Sequence, residues 1–414
     1  MDWNGCVVAG IDTHKGAHAL CVLDSVGRIL SEGIFPADAA GYDAIAQAIG
    51  RPDDCMVIGM EGTGSYGAGA KRRLQELGYE VVEVVRPKRE KRRLGDVKND
   101  LADAERAARD ALAGKASGKP KAGNGWVESL RFRMVAREVA VRTSTSAANS
   151  IHALMVTAPN PIRERYAGMK INKMVESLSR RRPAFDECEA AIWESLRSLA
   201  LLWREAKKRA AEQEASMRIL LQRNAPALLD MYCCGTISAA QLVIAVGDNP
   251  QRLKSESAFA SLCGASPIEA SSGKIKRHRL NRGGNRQANR ALHTIARQRM
   301  LRDRQTKTYI EKRKREGKTR REIERCLVRY IAREAYRALM HPLDTNWYGY
   351  CDIADSLKKK RIQLGATQRE AAVVMGVVSA RISELERGVL IDENMLMQYR
   401  DWLENIAAEK RWKN

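Results

Sequence analysis

Several things are missing from this 414-residue chain, and each removes a class of protein. There is no run of about 18 apolar residues free of charge, so no membrane-spanning helix is expected. The opening MDWNGCVVAGID lacks the basic-then-apolar layout of a secretory leader, which predicts a cytoplasmic location. Among the nine cysteines there is no Cys-x-x-Cys pair, the closest two being the adjacent Cys233 and Cys234, so they read as reduced core residues. The six histidines (His14, His18, His152, His278, His293 and His341) show no ligand-like spacing. Zinc is therefore not expected, and any metal should be held by oxygen. A glycine-rich phosphate loop is also absent, which argues against a phosphoryl-transfer kinase.

Hydrophobic residues make up 44% and charged residues 29%, the composition of a soluble globular protein. The length exceeds what one core usually serves, so two or three domains of ordinary size are expected. A net charge of +22 is too large for a mere solubility margin and implies a polyanionic partner, nucleic acid ahead of an anionic membrane surface. That charge is local. Between Lys274 and Arg337 stand 23 basic against 6 acidic residues, a surplus of 17. They interleave with Leu292, Ile295, Ala296, Tyr309, Ile323, Leu327 and Tyr330, a pattern that predicts helices presenting cations to phosphate backbone.

Hydrophobic periodicity divides the chain. Residues 5 to 12 form an apolar run ending in an acid, and His18 to Asp24 and Gly27 to Gly33 follow as two further strands around a turn at Ser25 to Gly27. Residues 41 to 50 have helical spacing, Cys55 to Met60 reads as a buried strand ending at Glu61, Tyr66 to Leu77 as a helix, and Glu80 to Val85 as a strand. This layer order predicts an α/β domain of ribonuclease H-like type. After a basic stretch (Lys88, Arg89, Lys91, Arg92, Arg93), an alanine-rich helix runs from Asp100 to about Ala113, with Asp100 and Asp103 on one face. Residues 114 to 125 are Gly, Lys and Ser rich and read as a linker.

From Trp126 to about Arg223 the pattern is helical, with breaks at Ala158 to Pro161 and at Arg182-Pro183; helices of this kind pair as a hairpin, act as a spacer, or assemble with other chains. Residues 226 to 247 read as helix, tight turn at Gly235, helix. Residues 352 to 414 carry 11 basic and 10 acidic residues and form three short helices with a glycine turn at Gly376, a helix-turn-helix layout with Ser379 to Glu386 as the recognition helix. A plain helical bundle is the alternative. The expected division is 1–115, 116–223, 224–345 and 346–414.

Phosphodiester transfer needs charge neutralisation on the attacking and leaving oxygens, which two magnesium ions provide when carboxylates from different elements converge. Asp12 and Glu61 at strand ends, with Asp100 and Asp103 on a helix face, are four such acids. Any one of them alone would be an ordinary surface residue or cap.

Gly10-Ile11-Asp12-Thr13-His14-Lys15, then Glu61-Gly62-Thr63-Gly64-Ser65-Tyr66, then Lys98-Asn99-Asp100 with Asp103-Ala104, resemble the DEDD motifs of the Piv-like insertion-sequence transposases, the bridge-RNA-guided recombinases. The resemblance continues through Gly235-Thr236-Ile237-Ser238, Leu262-Cys263-Gly264, Ser271-Ser272-Gly273 and Arg282-Gly283-Gly284-Asn285, and covers roughly residues 5 to 340. It implies a RuvC-like N-terminal domain holding two Mg2+ ions through the four acids, a long helical or coiled-coil middle, and a mainly α transposase domain with a nucleophilic serine. By position that serine is Ser272, with Ser271 as the fallback. It also implies a structured noncoding guide RNA, donor and target DNA, a homo-oligomer (dimer or tetramer) in which one subunit's serine completes another's acidic site, and a bacterial, nucleoid-associated setting. Lys274, Lys276, Arg277, Arg279, Arg282 and Arg286 are the expected nucleic-acid contacts near the serine.

Two features depart from the family. The turn at Gly235 lacks the proline and second glycine of relatives, and the tail resembles Cro and phage-repressor domains, with Gln368, Ser379 and Arg381 as candidate DNA contacts. The rival readings are a RuvC-type metal-dependent nuclease or junction resolvase, which needs the acids and no serine, and a non-enzymatic transcription regulator working through the tail.

Overall fold

The structure, a computed structural model, describes residues 6–84, 99–115, 118–181, 187–269, 278–281, 283–343, 347–386 and 393–411. It divides into two units, Met1–Glu128 with Val246–Lys254, and Ser129–Ala245 with Ser255–Asn414.

The first unit is built on alternation. Strands β1 (Val7–Thr13), β2 (Ala17–Asp24) and β3 (Ile29–Pro36) form an antiparallel meander, while β4 (Cys55–Met60) runs parallel to β1, and β5 (Val81–Glu83) parallel to β4. The order across the sheet is β3-β2-β1-β4-β5. The first turn forms where the sequence placed it: the Asp24 carboxylate accepts from the Val26 and Arg28 amides, and Gly27 takes a φ of 88° that favours glycine.

Odd and even residues of the central strands go to opposite faces. Ala9, Ile11, Leu20, Val22, Ile58 and Met60 pack with Ile45 and Ile49 of α1 (Ala39–Ile49) and Ala70 and Leu74 of α2 (Ala68–Glu76). On the other face Ala19, Cys21 and Leu23 pack with Ala104 and Ala108 of α3 (Asp100–Leu112). This second contact is unusually close because Gly10 and Gly59, neighbours in the β1–β4 register, leave a trough. A Cβ at Gly10 would lie 2.1 Å from the Ala104 carbonyl oxygen, and one at Gly59 would lie 2.5 Å from that of Ala107. Alanines on the helix and glycines on the sheet thus set how near α3 comes to the strand ends.

The chain after α3 stays with this unit. Lys71 is 1% exposed and donates from Nζ to the carbonyls of Lys121 (2.5 Å) and Ala122 (2.6 Å). Asn249 donates to the Pro120 carbonyl and accepts from the Ala122 amide, and Asp248 accepts from the Val127 amide. Most of the glycine and lysine stretch expected to be a linker is therefore held along the unit it follows.

The second unit is helical: α4 (Gly125–Thr157, its first turn belonging to the first unit), α5 (Asn160–Tyr166), α6 (Ile171–Ser179), α7 (Glu187–Asn224), α8 (Pro226–Asp230) and α9 (Thr236–Val246). The interruption between α4 and α5 falls within the predicted break at Ala158 to Pro161, while Arg182 and Pro183 lie outside the described residues. Arg137 pairs with Glu214 at 3.0 Å, while Ile151 and Met155 share a core with Trp193, Leu196 and Ala200, so α4 and α7 run antiparallel as a hairpin within one chain. At the next turn the residue with left-handed backbone is Cys233 (φ 64°), not Gly235. Then come α10 (Glu256–Leu262), the short strands β6 (Ile268–Glu269) and β7 (His278–Arg279), α11 (Arg286–Arg302), α12 (Arg304–Arg315) and α13 (Arg320–Met340). Of the apolar residues interleaved with the basic run, Leu292, Ile295, Ala296 and Ile323 are fully buried, whereas Tyr330 stays 50% exposed. Arg299 holds α13 by a bidentate pair to Glu334 at 3.0 and 2.7 Å.

The last four helices, α14 (Trp347–Gln363), α15 (Gln368–Val374), α16 (Ser379–Glu386) and α17 (Glu393–Arg411), enclose a core of Leu357, Ile382, Leu385, Leu396, Tyr399 and Leu403. A capping box joins Thr367 and Glu370 at the start of α15, and Gly376 (φ 64°) makes the turn into α16.

Candidate functional site

Parallel pairing brings the ends of β1 and β4 side by side, with the Glu61 amide donating to the Ile11 carbonyl at 3.2 Å and the Thr13 hydroxyl to the Glu61 carbonyl at 3.0 Å. Asp12 and Glu61 follow the register of Gly10 and Gly59, so both belong to the face that α3 covers. The first turn of α3 then carries Asp100 and Asp103, and Asn99 caps it by accepting from the Leu101 amide.

The four acids form two linked halves. In one, His14 Nδ1 lies 3.5 Å from Asp12 Oδ2 and its Nε2 lies 3.7 Å from Asp100 Oδ1; these three side chains offer ligand atoms within 4.8 Å of one another. In the other, Arg106 bridges Glu61 (2.5 Å) and Asp103 (2.6 Å) through its two terminal nitrogens. Asp12 is 2% and Glu61 3% exposed. Burial pushes the Asp12 carboxyl above its ordinary value; the neighbouring His14 works against this, and Glu61, Asp103 and Asp100 add to it. A desolvated carboxylate facing three others calls for a cation, and oxygen-rich donors with one imidazole suit a divalent ion.

Two site residues were not foreseen. The histidine spacing predicts no ligand cluster and oxygen donors for any metal; His14 nevertheless stands beside the acids, two residues after Asp12, because the chain leaves β1 before the turn to Ala17 and the ring can reach both Asp12 and Asp100. Arg106 is the other, and its signal was its place one helical turn beyond Asp103.

Ser271, Ser272, Lys274, Lys276, Arg277 and Arg282 lie outside the described residues, as do Lys88 to Arg93. Arg279 and Arg286 are exposed, the latter opening α11. In the tail, Ser379 and Arg381 are exposed at the start of α16, with Arg381 3.6 Å from Glu384. Gln368 spends its side-chain amide on Glu386 at 2.7 Å.

Four acids gather where an α/β sheet meets an overlying helix, and residues 9–158 match a family described as Transposase, of a DEDD type. Residues 225–311 match a second, described as Transposase IS116/IS110/IS902 family. The chain belongs to the IS110-family DEDD transposases of insertion sequences, enzymes that cut and rejoin DNA. No curated protein matches it. Among the described residues no helix is long and apolar enough to cross a membrane.

Proposed function

We propose that Asp12, Glu61, Asp100 and Asp103 hold two Mg2+ ions and that Ser272 is the nucleophile of DNA strand transfer. What carries the acid half of this reading is the convergence of all four carboxylates on one end of the sheet, with Asp12 desolvated among them. The sheet order, with a three-strand meander followed by two parallel strands, supports a ribonuclease H-like, RuvC-like domain.

When bound, magnesium would neutralise charge on the attacking and leaving oxygens. The protein's own part begins with Arg106, which already supplies positive charge to one oxygen of Glu61 and one of Asp103. His14 bridges Asp12 and Asp100, and so fixes the distance between a strand acid and a helix acid. The Ser272 hydroxyl oxygen bonds to the scissile phosphorus as the phosphorus–oxygen bond to the leaving strand breaks, and the proton the serine gives up ends on that strand's oxygen. The resulting phosphoserine keeps a phosphodiester bond, so rejoining needs no ATP.

A structured noncoding RNA guides target choice by base pairing, and a dimer or tetramer lets one subunit's serine serve another's acids. Residues 346–414 act as a helix-turn-helix domain on element ends or promoter, in a bacterial cytoplasm near the nucleoid. The central test is strand cleavage of a donor plasmid with copurified RNA. Asp12→Ala and Ser272→Ala should each abolish it, by at least about a thousandfold, and the wild type should trap a covalent protein–DNA species at Ser272. Cleavage by Ser272→Ala at the wild-type rate would leave a metal-dependent nuclease instead.

A further inference from the structure

A second site lies in the helical unit. Helices α11, α12 and α13 and the residues flanking β6 and β7 enclose a cleft of about 1080 Å³. Nine arginines and lysines line it against two carboxylates, Glu322 and Glu324. Some of these cations are held by acids: Arg297 bonds Glu324 at 2.9 Å, and Arg313 and Arg329 pair with Glu316 and Glu256. Arg279, Lys312, Lys318, Arg321 and Arg325 differ, having no carboxylate within 4.0 Å among the described residues, although Glu322 lies near enough to Lys318 and Arg325 to feel their charge. Nine like charges gathered in one concavity against two carboxylates repel one another, and a polyanion entering the cleft would relieve that cost.

Phosphate is not the whole ligand, because the same cleft contains aromatic rings. Tyr330 is 50% exposed, stands edge-to-face with Tyr309 (centroids 6.0 Å, 85°), and has the Arg333 guanidinium 5.7 Å from its ring centroid. A half-exposed tyrosine among cations is poor packing and a good platform for a base. In a duplex the base faces are stacked on one another and cannot reach it. The volume, just above the roughly 300–1,000 Å³ of ligand pockets, accommodates a short run of nucleotides and not a double helix.

We propose that this cleft binds an unpaired nucleic-acid strand, with its phosphates on Arg279, Lys312, Lys318, Arg321 and Arg325 and one base against Tyr330. The proposal rests on the family's work on DNA and on neither magnesium nor Ser272. It assigns the cleft the strand that strand exchange must leave unpaired, whether displaced DNA or the loop of a guide RNA.

The test uses the full-length Asp12→Ala protein in EDTA, so that failure of the acid site cannot affect it, and follows fluorescence anisotropy of a labelled 12-nucleotide dT strand, the matching rU strand and a 12-bp duplex across salt. The single strands should bind more tightly than the duplex; the ratio of dT to rU tells DNA from RNA. Replacing Lys318, Arg321 and Arg325 together by Ala should lower the salt slope for single strands by about 2. Tyr330→Ala should weaken single-strand binding about tenfold and leave the duplex unchanged, with Tyr330→Phe restoring it. Lys207→Ala with Lys208→Ala on α7, outside the cleft, should change neither. All these side chains except Tyr330 lie largely in solvent, and Tyr330 is half exposed, so the fold should persist by circular dichroism. The proposal fails if the duplex binds as tightly as the strands, if Tyr330→Ala affects duplex and strand alike or neither, or if the control pair lowers the slope as much as the triple variant.

Discussion

Two buried acids, one in the N-terminal sheet and one in the C-terminal helices, have had opposite treatment. Asp12 is 2% and Glu386 4% exposed, so desolvation opposes ionisation of both. Around Glu386 the protein completes the shell: Arg361 donates at 2.6 and 3.1 Å, Gln368 at 2.7 Å and the Tyr399 hydroxyl at 2.5 Å. Burial works to raise its carboxyl, but these donors outweigh it and hold it below the ordinary value. Asp12 has one imidazole at 3.5 Å and three acids around it, and its carboxyl rises. Equal burial with unequal satisfaction separates a carboxylate that holds a fold together from one that waits for a ligand.

The largest effect should come from breaking the completed shell. Glu386→Ala strands the Arg361 guanidinium in the tail's interior and should cost about 3–5 kcal/mol, read by chemical denaturation of the C-terminal transition. Asp12→Asn should cost the metal-free protein nothing measurable in the same experiment, since it removes a charge the fold disfavours. A matching loss at Asp12 would erase the contrast.

Next in size is the trough under α3. Gly10→Ala places a methyl group against the Ala104 carbonyl and should destabilise by about 1–3 kcal/mol while pushing Asp100 and Asp103 away from Asp12 and Glu61. Calorimetric titration should then show weakened Mg2+ binding even where the protein remains folded.

The smallest effect sharpens the comparison by pH. Asp12's raised value means that its contribution to stability is full below about 3.8 and lost as pH rises through the folded value; Glu386's lowered value means that its contribution is present above about 4.5 and lost as pH falls. Mg2+ affinity should therefore climb with pH above the usual carboxylate range, and Asp12→Asn should remove that climb. The tail should become less stable as the pH is lowered toward 3, and Glu386→Gln should flatten that dependence.

The sequence made the sheet legible because period-two alternation, a glycine turn and acids at strand ends are local signals. Each of the seven elements of the N-terminal layer order appears in the structure within a few residues of where its pattern put it. Joint placement was not legible. That Arg106 would take Glu61 and Asp103 depends on a helix lying across two glycines 49 residues apart in the chain, Gly10 and Gly59. The partners of His14 are acids and not histidines, and only the fold brings one of them near, Asp100 from 86 residues further on. Gln368 looked free at the head of a helix, and only tertiary packing reveals its bond to Glu386.

The Lys71 ammonium, closed over by the carbonyls of Lys121 and Ala122, bears on how such proteins can be recombined as modules. A chimera spliced within residues 114–125, where composition advertises a joint, would leave that ammonium in the interior with no acceptor and would discard Asp248 and Asn249, which return from later in the chain to hold the same strip. The transplantable piece is discontinuous: residues up to 128 together with 246–254, two ribbons sewn to one sheet, so that whatever replaces the intervening helices must begin and end at the same seam.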